Sequence, residues 1–276
     1  MREVIDEAAA TLTAAGIDSA RVDAEVLAAH VAGTDRGRLL LGDGPGEDFV
    51  GRYADLIDAR SRRVPLQHLI GTAAFGPVTV QVGPGVFIPR PETESLLEWA
   101  LAQPMPKRPV IVDLCTGSGA LALALSAHWP DARIVAVDDS EDALTYARRN
   151  LEGTAVKVHG ADVTEPGLLC ELDGLVDLVV ANPPYIPDGV VLEPEVAEHD
   201  PRHALFGGPD GMTVVAAVVN LAARWLRSGG RCAVEHDDTT SDQTVKAFSS
   251  AGQFNDITAR RDLAGRPRFV TATRNG

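Results

Sequence analysis

Short apolar runs that alternate with helical stretches constrain the fold of this chain more than any other feature. The first run, Pro109 to Leu114, is followed by a glycine-containing loop and then by a helical stretch from Ala120 to Trp129. Such β-branched runs, ended by glycine, proline or acidic residues, are typical of buried strands. Strands that alternate with helices predict an α/β fold with a mostly parallel, doubly wound sheet. The other predicted strands are 132–138, 155–159, 178–181, 231–235, 254–259 and 268–273.

The tetrapeptide Asn182-Pro183-Pro184-Tyr185 follows the apolar run 178–181 and predicts a rigid turn at a strand end. Proline lacks an N–H and restricts φ, so the turn is stiff and its carbonyl oxygens have no local donor. An Asn side-chain oxygen and a Pro carbonyl could accept the two hydrogens of a planar nitrogen, while a Tyr ring packs on its flat face. The alternative is an ordinary proline-rich turn.

A glycine-containing loop, Cys115-Thr116-Gly117-Ser118-Gly119, joins the first predicted strand to its helix. Glycines let the backbone approach a ligand, and the helix N-terminus offers free N–H groups. The loop lacks the full G-x-G-x-x-G spacing of dinucleotide-binding proteins, so alone it is weak evidence. The next strand ends at Asp138, where a carboxylate can bind ribose hydroxyls. Together the loop and this acid predict a nucleoside site.

A second carboxylate, Asp162, follows the strand 155–159 and suits an adenine amino group. Each acid alone could be a solvated loop residue. Open α/β sheets, however, bind ligands at the carboxyl ends of their strands. Because four strands end in residues of ligand type, the sequence predicts that these residues form one binding site.

The order of these motifs resembles that of S-adenosylmethionine-dependent methyltransferases that modify a planar nitrogen, a class that includes DNA adenine methyltransferases. Further stretches are similar to the signature of the release-factor glutamine methyltransferases of the HemK/PrmC type. Members of that family methylate the side-chain amide of the Gln in a Gly-Gly-Gln loop. The stretches are 63–71, 87–94, 200–211 and 261–268, so the resemblance extends from about Arg62 to the C-terminus. It implies a Rossmann-like methyltransferase domain whose last strand is antiparallel.

The resemblance implies a site for S-adenosylmethionine, with S-adenosylhomocysteine as the product. Asp113 is expected near the amino group of the donor, Asp138 at the ribose and Asp162 at the adenine amino group. Cys115 stands where the family usually has a glycine, and Val163 stands where it often has a bulkier residue near the adenine. The remaining expected donor-binding residues are Thr116, Gly117, Ser118, Gly119 and Asn182.

The resemblance also implies an acceptor site for N5 of a glutamine side chain in peptide chain release factors. Asn182 and Pro183 are expected to accept the amide hydrogens, Pro184 to shape the turn and Tyr185 to pack on the amide plane. Arg90 is expected to line the same cleft. No general base is expected, because a sulfonium methyl donor is already activated and positioning suffices.

Composition narrows the choice of partner. The formal net charge of −14 argues against a nucleic-acid backbone, which is bound mainly through Lys and Arg. The alternatives are a nucleic-acid amino methyltransferase, acting on adenine or guanine, and a catalytically silent S-adenosylmethionine-binding module. The three cysteines lack metal-ligand spacing, so no metal is expected. Acidic residues near the N-terminus interrupt any signal peptide, and the longest apolar helix, near Val214 to Leu226, is interrupted by Asn220 and Arg224. We therefore expect a cytoplasmic protein without a membrane segment. A monomer is also expected.

Three regions are expected along the chain. Residues 1–73 are predicted to form a helical domain that recognises the partner, 74–88 a β-hairpin linker and 89–276 the catalytic domain.

Two local elements are also predicted. A helix is predicted from Glu47 to Arg62, and the Arg60, Arg62 and Arg63 cluster is expected to be a solvated helix end. The segment from Ile186 to Met212 shows little periodicity and is expected to be a long loop beside the substrate site.

Overall fold

The computed structural model describes residues 1–39, 46 and 48–276, which fall into two compact units. The first unit contains Met1–Thr72 and Leu192–His199, and the second contains Ala73–Val191 and Asp200–Gly276. The α-helices of the described residues are α1 Arg2–Ala14, α2 Ala20–Ala32, α3 Phe49–Ser61, α4 Leu66–Ile70, α5 Glu94–Leu101, α6 Ala120–His128, α7 Glu141–Asn150, α8 Pro194–His199, α9 Thr213–Trp225 and α10 Ser241–Ala251.

Seven strands of the second unit form one sheet in the order β5-β4-β3-β6-β7-β9-β8, and β1 pairs with β2 in a separate hairpin. The strands β3 to β7 pair in parallel, whereas β9 is antiparallel to both β7 and β8. The predicted mostly parallel sheet with an antiparallel last strand is therefore confirmed. The strands are β1 Thr72–Phe75, β2 Val78–Gln81, β3 Val110–Leu114, β4 Arg133–Asp138, β5 Lys157–Gly160, β6 Val176–Ala181, β7 Leu226–Glu235, β8 Phe254–Arg261 and β9 Pro267–Arg274.

The central strands β3 and β6 are buried on both faces. Ile111 and Leu178 belong to one apolar cluster, whereas Val112 and Val179 belong to a second. This follows from the strand period of two, which sends successive side chains to opposite faces. The first cluster includes residues of α5, α6 and α7, and the second includes residues of α9 and α10. Both faces of the sheet are thus covered by helices, as in a doubly wound fold.

Amphipathic helices form the core of the first unit. In α1, Ile5 and Leu12 lie seven residues apart on one face and are almost fully buried. In α3, Phe49 and Tyr53 stack with ring centroids 5.2 Å apart, and the Tyr53 hydroxyl donates to the Ala24 carbonyl. The helix predicted from Glu47 begins at Phe49 within the described part of the chain, and Glu47 itself lies outside it.

The expectation that Arg60 lies at a solvated helix end is wrong. Only 6% of Arg60 is exposed, and its Nε donates to Asp23 Oδ2 at 2.8 Å while Nη1 donates to Glu195 Oε2 at 2.7 Å. Arg63 donates to the carbonyl oxygens of Ala15 and Gly16, so it too has a structural role. A local charge count missed these contacts because the partners are distant in sequence.

The segment from Ile186 to Met212 is not the structureless loop expected from its sequence. It contains α8 and a 3-10 turn at Arg202–Ala204, and residues Leu192–His199 belong to the first unit. Glu195 in α8 pairs with Arg60, which helps to anchor the segment there. A six-residue helix is too short to show a periodic pattern in the sequence.

Two other elements differ in extent from their predictions. The hairpin covers β1 and β2 and ends at Gln81, and its side chains Phe75 and Val80 are part of the core of the second unit. The strand β7 begins at Leu226, five residues before its predicted start, because Leu226 also pairs with Val176. Gly229 and Gly230 interrupt the apolar pattern there and concealed the longer strand.

The two carboxylates on Arg60 provide a test of how burial sets the strength of an ion pair. The Asp23 side chain is 4% exposed and that of Glu195 is 32% exposed. Breaking a buried pair costs about 3–5 kcal/mol, whereas an exposed pair contributes about 0–1 kcal/mol. We expect Asp23→Ala to lower the free energy of unfolding of the first unit clearly more than Glu195→Ala, as measured by circular dichroism in denaturant. Equal losses would contradict this ranking.

Candidate active site

The parallel register brings the carboxyl ends of five strands to one edge of the sheet. Leu114, the last residue of β3, pairs with Val137 of β4 and with Ala181 of β6. Ala181 in turn pairs with Val234 of β7, and β4 ends with Asp138 opposite Gly160 of β5. The predicted donor loop, the two predicted acids and the Asn-Pro-Pro-Tyr turn therefore all follow strands that end at this edge.

The glycine loop is tied to the acid at the end of β4. The Gly117 N–H donates to Asp138 Oδ2 at 2.8 Å, and the Ser140 N–H donates to Asp138 Oδ1 at 3.0 Å. Burial raises the pKa of Asp138, although the two hydrogen bonds partly offset this shift by stabilising the carboxylate. Gly117 has φ +56°, and no protein atom of the described residues lies within 4 Å of the position that a Cβ would occupy there. The loop is thus open on the side where a ligand could approach.

Asp113 supplies a buried carboxylate beneath the loop. Its Oδ2 accepts from the Thr116 hydroxyl at 2.5 Å and from the Ala122 N–H at 3.1 Å. Its Oδ1 is buried and has no hydrogen-bond partner among the described residues. Burial raises the pKa of Asp113 to about 7. Because Asp113 is fully buried and its Oδ1 lacks a donor within the described part of the chain, its expected contact with the amino group of S-adenosylmethionine stays a prediction.

Cys115 adopts a left-handed backbone conformation, which favours glycine over residues with a Cβ. Its φ is +56°, a region that costs a residue with a Cβ roughly 1–2 kcal/mol. The side chain packs against the apolar cluster on one face of the sheet. Burial raises the pKa of the thiol well above its usual value, so the thiol is neutral and serves as a small apolar side chain.

The acid after β5 is partly engaged by its own loop. Asp162 Oδ1 accepts from both the N–H and the hydroxyl of Thr164, each at 2.7 Å, and these bonds lower the pKa of Asp162. Its second oxygen can still accept from a ligand. The neighbouring Val163 is 8% exposed and packs in the core, so it offers little surface for stacking.

The predicted Asn-Pro-Pro-Tyr turn is held by a hydrogen-bonded chain of side chains. Asn182 Nδ2 donates to Thr93 Oγ1 at 3.1 Å, and the Thr93 hydroxyl donates to Glu235 Oε2 at 2.8 Å. The Tyr185 hydroxyl donates to Glu235 Oε1 at 3.0 Å. With its nitrogen engaged by Thr93, the Asn182 amide can offer its oxygen to a ligand.

Sequence reasoning missed the residues that support this turn. Glu235 is 1% exposed, and burial raises its pKa to about 7. The hydrogen bonds from Thr93 and Tyr185 and the charge of Arg268 act in the opposite direction and lower it. Burial and the neighbouring Glu235 raise the pKa of Tyr185 well above its usual value. Thr93 and Arg268 both lie in stretches that carry the family resemblance, which was the available signal.

Glycines and an ion pair shape the surroundings of the turn. A side chain at Gly207 would collide with the Pro184 carbonyl oxygen, and one at Gly211 would collide with that of Tyr185. Arg90 pairs with the buried Asp200 and lies over the Phe87 ring at 4.8 Å. The segment after Asp200 thus packs closely on the turn and requires glycine at the contact points.

One histidine of this segment reaches the end of β4. His203 Nε2 lies 2.6 Å from Asp139 Oδ1, and this hydrogen bond raises the pKa of His203. The nearby carboxylates of Asp138 and Asp162 raise this pKa further. The sequence did not indicate this pairing, because the two residues are 64 positions apart.

The described residues contain neither a candidate metal centre nor a candidate membrane span. No group of three or more His, Cys, Asp or Glu side chains there could hold a metal ion. No helix in that part of the chain has the length and apolar character needed to cross a membrane.

Comparison with known proteins identifies the family. The chain is 66% identical to the release factor glutamine methyltransferase of Mycolicibacterium smegmatis, over 99% of this chain and 98% of that relative. It is 67% identical to the release factor glutamine methyltransferase of Mycobacterium tuberculosis strain H37Rv, over 100% of this chain and 92% of that relative. The chain belongs to the release factor glutamine methyltransferase family. The family expected from the motifs is thereby confirmed.

Domain models and a solved structure agree with membership of this family. The PrmC N-terminal domain model matches residues 3–71, and the methyltransferase small domain model matches residues 79–199. The crystal structure of a methyltransferase from Pyrococcus furiosus has a TM-score of 0.54 at 16% identity, covering 79% of this chain and 100% of that one. This last likeness supports the fold alone.

Asp138 offers a test of the donor site in this member of the family. A hydrogen bond to a charged group contributes about 1.5–3 kcal/mol. We therefore expect Asp138→Ala to weaken binding of S-adenosylhomocysteine about tenfold or more, as measured by calorimetry. Asp131→Ala, which removes an exposed carboxylate just before the start of β4, is the matched control and should leave the affinity unchanged. Equal affinities of the two variants would show that Asp138 does not contact the ligand.

Proposed function

We propose that the protein transfers a methyl group from S-adenosylmethionine to the side-chain amide nitrogen of the Gln in the Gly-Gly-Gln motif of peptide chain release factors. The observation that carries this proposal is the position of Asn182. It follows β6, which pairs with the strand that leads into the glycine loop, and its side-chain nitrogen donates to Thr93. The identity of 66–67% to relatives named for this activity supports the same substrate.

The donor would bind across the ends of β3, β4 and β5. The loop Thr116 to Gly119, which follows Cys115, would surround its methionine end, and the free Oδ1 of Asp113 would accept from its amino group. Asp138 would accept from the ribose hydroxyls with the lone pairs that Gly117 and Ser140 leave available. Asp162 would accept from the adenine amino group through its second oxygen, beside Val163. When bound, the donor supplies a methyl group activated by a positively charged sulfur.

The acceptor amide would bind at the Asn-Pro-Pro-Tyr turn. An amide nitrogen is a poor nucleophile because its lone pair is delocalised, so its placement matters more than proton removal. As the N–C bond forms and the S–C bond of the donor breaks, S-adenosylhomocysteine would leave and one of the two amide protons would pass to water. The Asn182 oxygen and the Pro183 carbonyl would accept its two hydrogens and direct the nitrogen towards the methyl group. Pro184 would make the turn rigid, and Tyr185, whose hydroxyl donates to Glu235, would pack on the amide plane. Arg90, tied to Asp200, would form part of the cleft wall.

The two alternative functions are less well supported. The net charge of −14 disfavours a nucleic-acid substrate, since binding to phosphates relies on positive charge. A silent binding module would not need the Asn182 amide to be oriented, whereas the chain holds it through two further side chains.

We also propose that the enzyme acts in the cytoplasm, together with its release factor substrates.

The substrate assignment can be tested directly. The protein should label a purified release factor with a methyl group from labelled donor, and mass spectrometry should map the label to the Gly-Gly-Gln glutamine. Replacement of that glutamine in the release factor should abolish labelling. A label on DNA or RNA in a cell extract, with none on release factors, would contradict the proposal.

The role of Asn182 can be separated from donor binding. Loss of one preorganised polar group at a reacting centre costs about 10²-fold or more in turnover. We expect Asn182→Ala to lower turnover by this amount while leaving affinity for S-adenosylhomocysteine nearly unchanged. Asn220→Ala, an exposed position on α9, serves as the control and should retain full turnover. Wild-type turnover in Asn182→Ala would exclude the residue from the mechanism.

We propose further that the helical N-terminal region, residues 1–73, selects the release factor. One Gln side chain offers little surface for recognition, whereas protein interfaces use about 800 Å² from each partner. A fragment beginning at Ala73 should bind S-adenosylmethionine yet methylate a release factor far more slowly than the full chain. A free Gly-Gly-Gln peptide should be affected much less. Equal slowing on peptide and protein would show that this region stabilises the catalytic domain and does not select the substrate.

A further inference from the structure

Three separate elements contribute to the hydrogen-bonded chain behind Asn182. Asn182 follows β6, Thr93 lies in the 3-10 turn that precedes α5, and Glu235 is the last residue of β7. The donor-to-acceptor distances are 3.1 Å from Asn182 to Thr93 and 2.8 Å from Thr93 to Glu235. Thr93 is 3% exposed and Glu235 is 1% exposed, so bulk water does not compete for the bond between them, whereas the bond from Asn182 is part-buried.

We propose that Thr93 and Glu235 are positioning residues that determine which end of the Asn182 amide faces the acceptor glutamine. This inference rests on the proposed function, and it assigns to the two residues no direct contact with substrate. Their effect is exerted through the direction of the hydrogen bonds that they make.

The direction follows from the hydrogens available. An ionised carboxylate has none to donate, so Glu235 can only accept, and the Thr93 hydroxyl must use its single hydrogen on Glu235. Thr93 can then only accept from Asn182, which turns the NH₂ group of Asn182 towards Thr93 and its oxygen away. An oxygen is the group that a glutamine NH₂ requires as a partner. If Glu235 could donate to Thr93, the Thr93 hydrogen would be free for Asn182, and the opposite orientation would become equally favourable.

The carboxylate is itself held in place from two further sides. Its second oxygen accepts from the Tyr185 hydroxyl at 3.0 Å, and the charge of Arg268 on β9 favours its ionised form. Arg268 is held by Asp238 at 3.1 Å and by Asp262 at 3.3 Å. Both oxygens of Glu235 thus accept hydrogen bonds, from Thr93 and from Tyr185, in the part of the site where the glutamine amide would bind.

Three variants of the full-length protein test the proposal. Glu235→Gln keeps the shape but adds a donor, Thr93→Val removes the hydroxyl and Thr93→Ser retains it. The assay is run at about pH 8.5, where a carboxyl with a pKa of about 7 is ionised. Small misplacement of a reacting group can cost up to about 10²-fold. We expect kcat on a release factor to fall about tenfold or more in Glu235→Gln and Thr93→Val, and Thr93→Ser to remain within about threefold of wild type.

A matched control separates positioning from stability. Asp177, 6% exposed in β6, accepts from the Val110 N–H and from Arg227 near the opposite ends of the strands. Asp177→Asn should lower the midpoint of thermal unfolding without changing kcat. Affinity for S-adenosylhomocysteine should stay within about twofold of wild type in all four variants, because none of the changes touches the donor site.

Several outcomes would overturn the proposal. Wild-type kcat in Glu235→Gln and Thr93→Val would do so, as would an equal loss in Thr93→Ser and Thr93→Val, or a loss of kcat in Asp177→Asn of the same size. The side-chain NH₂ signals of Asn182 in nuclear magnetic resonance give a readout without substrate. They should shift in Thr93→Val and not in Asp177→Asn. If the wild type methylates no release factor, the proposed function fails, and an unshifted Asn182 signal would separately refute the positioning role.

Discussion

The candidate site depends on the parallel register in which β3 pairs with β4 and with β6. Leu114 pairs with Val137 on one side and with Ala181 on the other, so the three strands end at the same level. The glycine loop, Asp138 and Asn182 follow these ends directly. A shift of the register would move the acid and the amide along the strand axis and would also turn buried side chains to the wrong face.

The polar groups at this edge are held in position by hydrogen bonds within the protein. Asp138 accepts backbone N–H groups from the glycine loop, and Glu235 accepts hydroxyl hydrogens from both sides of the Asn-Pro-Pro-Tyr turn. Burial of these carboxylates opposes their ionisation and is offset by the hydrogen bonds. Cys115 keeps a left-handed backbone in the same loop. Backbone strain at Cys115 and the desolvation of the buried carboxylates are therefore costs of holding these side chains in fixed positions.

The first unit is held together by contacts of a different kind. Its helices bury a continuous apolar core around Leu12, Leu27 and Tyr53. One buried arginine, Arg60, then joins α2 to a short helix more than a hundred residues later in the chain. The segment that follows the Asn-Pro-Pro-Tyr turn is therefore divided between the two units, with Leu192–His199 in the first and its flanks in the second.

The sequence by itself determined the α/β class, the positions of all seven strands of the main sheet and the family, because these depend on local apolar patterns and short motifs. It also indicated Asp138 and Asn182 as ligand-type residues at strand ends. Only the tertiary structure decided that Asn182 is oriented by Thr93 and Glu235, which are 89 and 53 positions away (182 − 93 and 235 − 182). Only the tertiary structure likewise showed that Arg60 is buried, because its local sequence does not distinguish it from the neighbouring Arg62 and Arg63. Hydrogen bonds and ion pairs between distant residues leave no periodic signal, since the chain segments that make them meet only after the sheet and the helices have packed.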